Sequence, residues 1–449
     1  MRHKTAMEQE NRHSETIQSG PRLVRVLGRW DLTALGVNQV IGSGIFVLPA
    51  TVAALVGQAA SPLVWIAAAF INTVIILCFA RAAAHFRETG GPYLYARTAF
   101  GPFPGFQVAW MIWLTRVSSQ AALANAFAIY LGYLWAGATQ GWGRILVVSI
   151  VIVVLAGINL RGVRQGSWTV NSFTLGKLVP LGAFVLLGIW SVRWERFEGL
   201  GSPEWGGLGQ ATLLLMFAFG GYELIPLPAG EARSPRKDAP AALLATIAIV
   251  SLLYLLIQIV AVGTLEELAR SETPLADSAR GFMGPIAGTL IALGGLISIG
   301  GANAGTMLAG PRVTFALAEG CHLPRLFAHV HPRFRTPDFS IIIYATVSLL
   351  LALSGTFIQM AAVSAVARLV FYATTCGSVL VLDRKGEDEL EQGSLRLLSG
   401  PLIPILGVAC SLMLIGAADA FALSAGGIAL LAGTVIHFGY RFKSRQSVN

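Results

Sequence analysis

From residue 33 to residue 439 the chain is a close succession of apolar stretches of membrane-crossing length, and this most constrains its fold. A spanning helix needs about 17–25 predominantly apolar residues. Twelve such stretches are predicted: 33–56, 60–80, 106–134, 144–160, 170–191, 208–228, 240–262, 283–316, 339–354, 357–382, 399–416 and 420–439. No polar loop parts the ninth from the tenth, so the division at Ser354 and Gly355 is the least marked. Charged residues make up 12% of the chain and hydrophobic ones 55%. Soluble domains carry about 25% charged residues, so most of this surface does not face water.

The net charge of +9 is explained by topology rather than by a polyanionic partner. With the amino terminus placed in the cytoplasm, 24 of the 32 Lys and Arg residues fall on the inner side and 5 in outer loops. The remaining 3, Arg116, Lys177 and Arg368, lie within spans. This asymmetry follows the positive-inside rule. It predicts a multi-pass protein of the cell (inner) membrane with both termini cytoplasmic, the lipid bilayer as its surroundings and no nucleic-acid partner. The first thirty residues are polar and basic, unlike a cleavable signal. Residues 1–28 are expected as a cytoplasmic tail, and 29–449 as a single transmembrane domain. Of the four cysteines, Cys78, Cys376 and Cys410 fall in spans and Cys321 in a loop, a scatter that gives no disulfide framework or metal site.

Two spans are interrupted by glycine in comparable places. The first reads VNQVIGSGIFVLPA and the sixth LLMFAFGGYELIPLPAGE. Their separation of five spans is what an inverted repeat of five plus five helices would give. That reading rests on position alone, without a strong residue-level repeat. Its core would cover 33–382, with two helices appended over 399–439.

Unwinding at Gly42-Ser43-Gly44 would free the amides of Ser43, Gly44 and Ile45 at the start of a half-helix, where a carboxylate is favoured. The carbonyls of Val40 and Ile41 would face an ammonium group. Glycines that merely let helices approach closely give the same pattern. In span 6, Phe217, Phe219 and Tyr222 surround Gly220-Gly221. They are candidates to cover a ligand, with carbonyls near Ala218 open to an amine; a plain packing stripe is the alternative. Glu223 stands at membrane depth, where carboxylates are costly and face a cavity or a partner. It would either titrate or hold the broken backbone.

Lys177 lies within span 5. Poised between protonation states it would couple protons to transport; alternatively its ammonium would occupy a cation site, or snorkel to the inner surface. Arg116 and Arg368 need carboxylate or carbonyl partners, because arginine does not deprotonate. A brace between helices suits Arg368, while Arg116 shares a polar face with Gln120 one turn along. No nucleophile–histidine pair or phosphate loop supports an enzyme, and no selectivity-filter motif supports a channel.

Four stretches resemble the amino acid–polyamine–organocation superfamily of permeases: GVNQVIGSGIF, HFRETGGPYLYARTAFG, FAFGGYELIPLPAGEARSPRKDAP and GPRVTFALAEGCHLPRLFAHVHPRFRTP. Spread over ten spans, they imply an all-α leucine-transporter-like fold, alternating access and amino acids or their derivatives as substrates. The resemblance puts the substrate backbone at Gly42, Ser43 and Gly44 with Phe217, Ala218, Phe219, Gly220 and Gly221. It makes Phe217 the aromatic gate, and Lys177 the counterpart of the span 5 lysine of sodium-independent members, implying proton coupling or exchange. Two positions depart from the family pattern, Arg81 standing for a glutamate and Arg87 for a proline, which bears on the inner-gate ion pairing. No cofactor or metal is expected. With Glu223 the one carboxylate placed for a cationic side chain, neutral amino acids are the expected substrates ahead of polyamines. A sensor of the same fold without transport is the alternative, and nothing in the sequence fixes an oligomeric state.

Overall fold

A computed structural model of the chain describes residues 27–86, 90–162, 167–198, 205–227, 231–320, 322–385 and 400–446. The expected tail up to residue 26, Arg87 and Cys321 lie outside the described residues. Fifteen α-helices are described: α1 (Arg29–Val40), α2 (Gly44–Val56), α3 (Ser61–Ala84), α4 (Gly91–Phe100), α5 (Pro102–Gly132), α6 (Gly141–Leu160), α7 (Ser167–Gly188), α8 (Trp205–Ala218), α9 (Pro235–Thr264), α10 (Pro274–Met283), α11 (Pro285–Glu319), α12 (Asp338–Ser354), α13 (Phe357–Lys385), α14 (Leu402–Gly416) and α15 (Ala420–Gln446). The only β-type pairing among the described residues is an isolated bridge between Leu27 and Ala232.

Six described helices are long and apolar enough to cross a membrane. They are joined by a seventh span if α1 and α2, bent by 51° at their break, count as one. Shorter apolar helices include α12 and α14. The protein is an all-helical, multi-pass membrane protein. Helices α3, α4, α5, α9, α10 and α11 each carry proline in the first turn, where its missing N–H costs no hydrogen bond. The ninth and tenth expected spans are separate helices, parted by Gly355 and Thr356. Arg144 makes the division firm by donating to the carbonyls of Ala352 and Gly355 at the end of α12.

The interior is built where α9 packs on α3, and where α5 packs on α11 and α13. Trp65, Phe219 and Tyr254 form one buried aromatic knot. Phe79, Tyr222 and Tyr372 form another. The two interrupted segments meet directly, since α2 packs along α8. A Cβ on Gly44 would come within 2.7 Å of both Cα and Cβ of Ala218. Gly44 therefore serves close approach, and its φ is not positive. Gly221 does need glycine's conformational freedom, with φ of 128°. A Cβ there would also lie 2.6 Å from the carbonyl oxygen of Gln39.

Candidate functional site

The first break begins where α1 gives out. Ile41 closes that helix with an N–H donated to Val37 and then turns extended, at ψ 93°. Its last carbonyls would be costly to bury unmatched, and those of Asn38, Val40 and Ile41 find side-chain donors. Lys177 Nζ, 3% exposed, donates to the oxygens of Asn38 at 2.7 Å and Ile41 at 3.1 Å. The Tyr254 hydroxyl reaches those of Val40 at 3.1 Å and Ala218 at 3.3 Å. A cation thus sits on the negative end of α1, and one tyrosine spans both breaks.

On the other side of the break the balance is reversed. Among the described residues no acceptor meets the N–H groups of Ser43, Gly44 and Ile45, although the Ser43 carbonyl already receives those of Phe46 and Val47. The Ser43 hydroxyl is buried and also unpartnered. Three amides at a helix start and a hydroxyl are donors of the kind an anion would need.

The second break is held by charge. Glu223 Oε2 accepts from the amide of Gly221 at 2.7 Å and from the Tyr372 hydroxyl at 3.0 Å. Its Oε1 faces Arg368 Nη2 at 3.5 Å and Arg116 Nη2 at 3.7 Å. Arg368 Nη1 donates to the carbonyls of Met216 at 3.0 Å and Phe217 at 3.3 Å at the end of α8, the second of which also receives the Gly220 N–H at 3.2 Å. A Cβ on Gly220 would overlap that guanidinium, 1.4 Å from Nη1, so glycine is what admits Arg368 here.

Between the breaks lies a cavity of about 270 Å³. Of the residues singled out in the sequence, Gly42, Ser43, Gly44, Phe217, Ala218, Gly220, Gly221, Arg116, Lys177 and Arg368 line it. The others stand back. Ile41 and Ile45 are buried in the packed core. Phe219 and Tyr222 belong to the two aromatic knots, Gln120 donates to Asn303 at 2.9 Å, and Glu223 lies behind the arginines. Sequence reasoning missed Asn38, Gln39 and Ser119 on the wall, and the small residues Gly301, Ala302, Ala304 and Gly305 of α11. The density of glycine and alanine in that helix was the available signal. A second cavity, about 440 Å³, is lined by Arg144, Glu272, Thr356 and Phe357. Phe357 packs edge-on against Phe217 at 5.8 Å between centroids, so a ring lining one cavity touches a ring lining the other.

The sequence model for amino acid permeases matches residues 27–427, nearly the whole described chain. The chain belongs to the amino acid permease family. The permease is 29% identical to a serine/threonine exchanger of Bacillus subtilis (strain 168) over 432 residues, covering 93% of this chain and 97% of that one. It is 26% identical to a methylthioribose transporter of the same organism over 440 residues, 94% of each. To the human large neutral amino acids transporter small subunit 2 it is 27% identical over 384 residues, 82% of this chain and 72% of that one. The permease is a transporter, not an enzyme.

Proposed function

We propose that this permease carries amino acids across the cell membrane by alternating access, and that the central cavity is its substrate site. The observation that carries the reading is the set of unpartnered amides at Ser43, Gly44 and Ile45 with the free Ser43 hydroxyl, a cradle fitted to an α-carboxylate. The substrate amine would approach the carbonyls beside the breaks, which keep a second lone pair each. Phe217 and Phe357 would close the path on the side away from the termini. Lys177 occupies the carbonyls where a transported cation would otherwise bind, which favours sodium-independent transport, by proton symport or amino acid exchange.

Twelve spans follow if α1 with α2, and α8 with the segment after it, each count as one and α4 and α10 do not cross. An inverted five-plus-five repeat has support at residue level. Helices α4 and α10 are both ten residues long and both precede a long helix opened by Gly-Pro. The segments Ala96-Arg97-Thr98-Ala99-Phe100-Gly101-Pro102 and Ala279-Arg280-Gly281-Phe282-Met283-Gly284-Pro285 share Ala-Arg and Gly-Pro in register, five spans apart. Both termini would then face the cytoplasm.

Glu223 already faces two guanidiniums, a tyrosine and an amide. It is not free to receive a cationic side chain, so polyamines and basic amino acids are disfavoured. The deciding test is uptake of labelled amino acids into proteoliposomes, driven by an inward proton gradient or by amino acid inside. Uptake under either drive is expected, and no uptake of any amino acid under both would refute the reading.

A further inference from the structure

The central cavity carries more positive charge than its protein partners offset. Lys177, Arg116 and Arg368 line it, and none of the described residues on its wall is a carboxylate. The one carboxylate nearby, Glu223, is shared between both guanidiniums, with its Oε1 beyond hydrogen-bonding distance of either. Two positive charges are left over if Lys177 is protonated, and one if it is neutral. The lysine and Arg368 are at least met by helix-end carbonyls. Arg116 is not. It donates no hydrogen bond among the described residues, its Nη2 is buried with only the ion pair to Glu223 at 3.7 Å, and the residue is 7% exposed. Arg368 Nε is likewise buried and unpartnered.

A buried guanidinium whose counter-charge is shared is costly unless something else neutralises it. A neutral amino acid brings a carboxylate for the amide cradle and an ammonium that cancels it, which leaves the excess untouched. An amino acid with a second carboxylate removes it, and a carboxylate matches the guanidinium fork geometrically. Arg116 sits one turn from Ser119, which also lines the cavity, so the side chain of a bound substrate would meet a polar, cationic face of α5.

We infer that the permease is selective for acidic amino acids, with the side-chain carboxylate received by Arg116 and Arg368. This rests on the reading of the cavity as an amino acid site. It replaces the expectation of neutral substrates, which weighed only the lack of an acidic partner and so spoke against cations.

The test uses the full chain in proteoliposomes preloaded with unlabelled amino acid, and compares labelled L-glutamate and L-aspartate with L-glutamine, L-serine and L-arginine. Glutamate and glutamine have nearly the same shape and differ in the charge that matters. One acidic amino acid is expected to be carried, with glutamine competing roughly ten- to a hundredfold more weakly, the discrimination a charge-assisted hydrogen bond supplies. Uptake of serine or glutamine with neither acid carried nor inhibiting would overturn the inference and leave the transport reading standing. So would carriage of neutral amino acids that fails when chloride is replaced by gluconate, since the counter-charge would then be an inorganic anion. If nothing is carried, the transport reading itself fails. Arg116→Gln removes the 3.7 Å ion pair to Glu223 but no side-chain hydrogen bond among the described residues, and should raise half-saturation for the acid by the same factor while narrowing the glutamate–glutamine gap. An unchanged gap in a variant that unfolds at the wild-type temperature would also overturn the inference.

Discussion

Lys177 Nζ lies 2.7 Å from the carbonyl oxygen of Asn38, so the buried ammonium of α7 closes the end of α1. That contact ties the lysine to the first half of the broken span. Lys177→Ala leaves two helix-end carbonyls to water and removes the charge that the helix end favours. Uptake is expected to be abolished or uncoupled from the proton gradient, while the protein still folds with a loss of about 1–3 kcal/mol. Transport of the variant with wild-type pH dependence would count against any coupling role.

The Phe217–Phe357 contact joins a ring lining one cavity to a ring lining the other. Edge-to-face pairs contribute about 0.5–1.5 kcal/mol beyond area burial, enough to shift a two-state gate roughly two- to twelvefold. Phe357→Ala should therefore raise the labelling of a cysteine placed at Ser43 by an impermeant thiol reagent added on the far side. Labelling at the wild-type rate would show that the rings do not gate.

The three residues of the first break do not share one requirement. Alanine at Gly44 drives a Cβ into Ala218, whereas at Gly42 the nearest atom is 3.9 Å away. Gly44→Ala should cost about 1–3 kcal/mol through overpacking, and Gly42→Ala less than about 1 kcal/mol. Thermal unfolding of the two purified variants checks this, and equal midpoints would contradict it.

Several features of the fold are legible in the sequence because they are set by local composition. Apolar length gives the helices, and Gly42-Ser43-Gly44 and Gly220-Gly221 give the breaks. What each glycine is for is not legible, since close approach and positive φ leave the same letter. Gly44 turns out to serve packing against Ala218, and Gly221 a left-handed turn. The positive φ shared by Gly101, at 97°, and Gly284, at 89°, goes with a common Ala-Arg-x-x-x-Gly-Pro pattern that lies outside the spans, where a search for repeated breaks does not look. Arg144, counted among outer-loop charges, lies in the first turn of α6 and reaches Asn125 at 2.8 Å. A contact between residues so placed by tertiary folding has no sequence signal.

That same arginine makes a stability prediction. Its guanidinium gathers Asn125 Oδ1 and the carbonyls of Ala352 and Gly355, holding α5, α6 and the α12–α13 junction together. Arg144→Leu removes every donor and should lower stability by about 2–4 kcal/mol. An unchanged unfolding midpoint would show that water replaces the arginine at no cost.

Arg81 departs from the family pattern, and the structure supplies its partner. Its guanidinium pairs with Asp383 at the end of α13 and donates to the Gly400 carbonyl at 2.9 Å, while His85 Nε2 stands 3.1 Å from the same carboxylate. The arginine is 5% exposed, so that pairing supplies the counter-charge its burial requires. Asp383→Ala leaves it unmatched and is expected to cost about 2–4 kcal/mol, somewhat below a fully buried pair because the aspartate is partly open to water. Arg81→Asp brings two carboxylates together and should be worse. Exchanging both, as Arg81→Asp with Asp383→Arg, restores opposite charges and should recover about 1–3 kcal/mol as a coupling term. Additive losses in that cycle would mean the two side chains act separately, and that α3 and α13 are held at this end by packing alone.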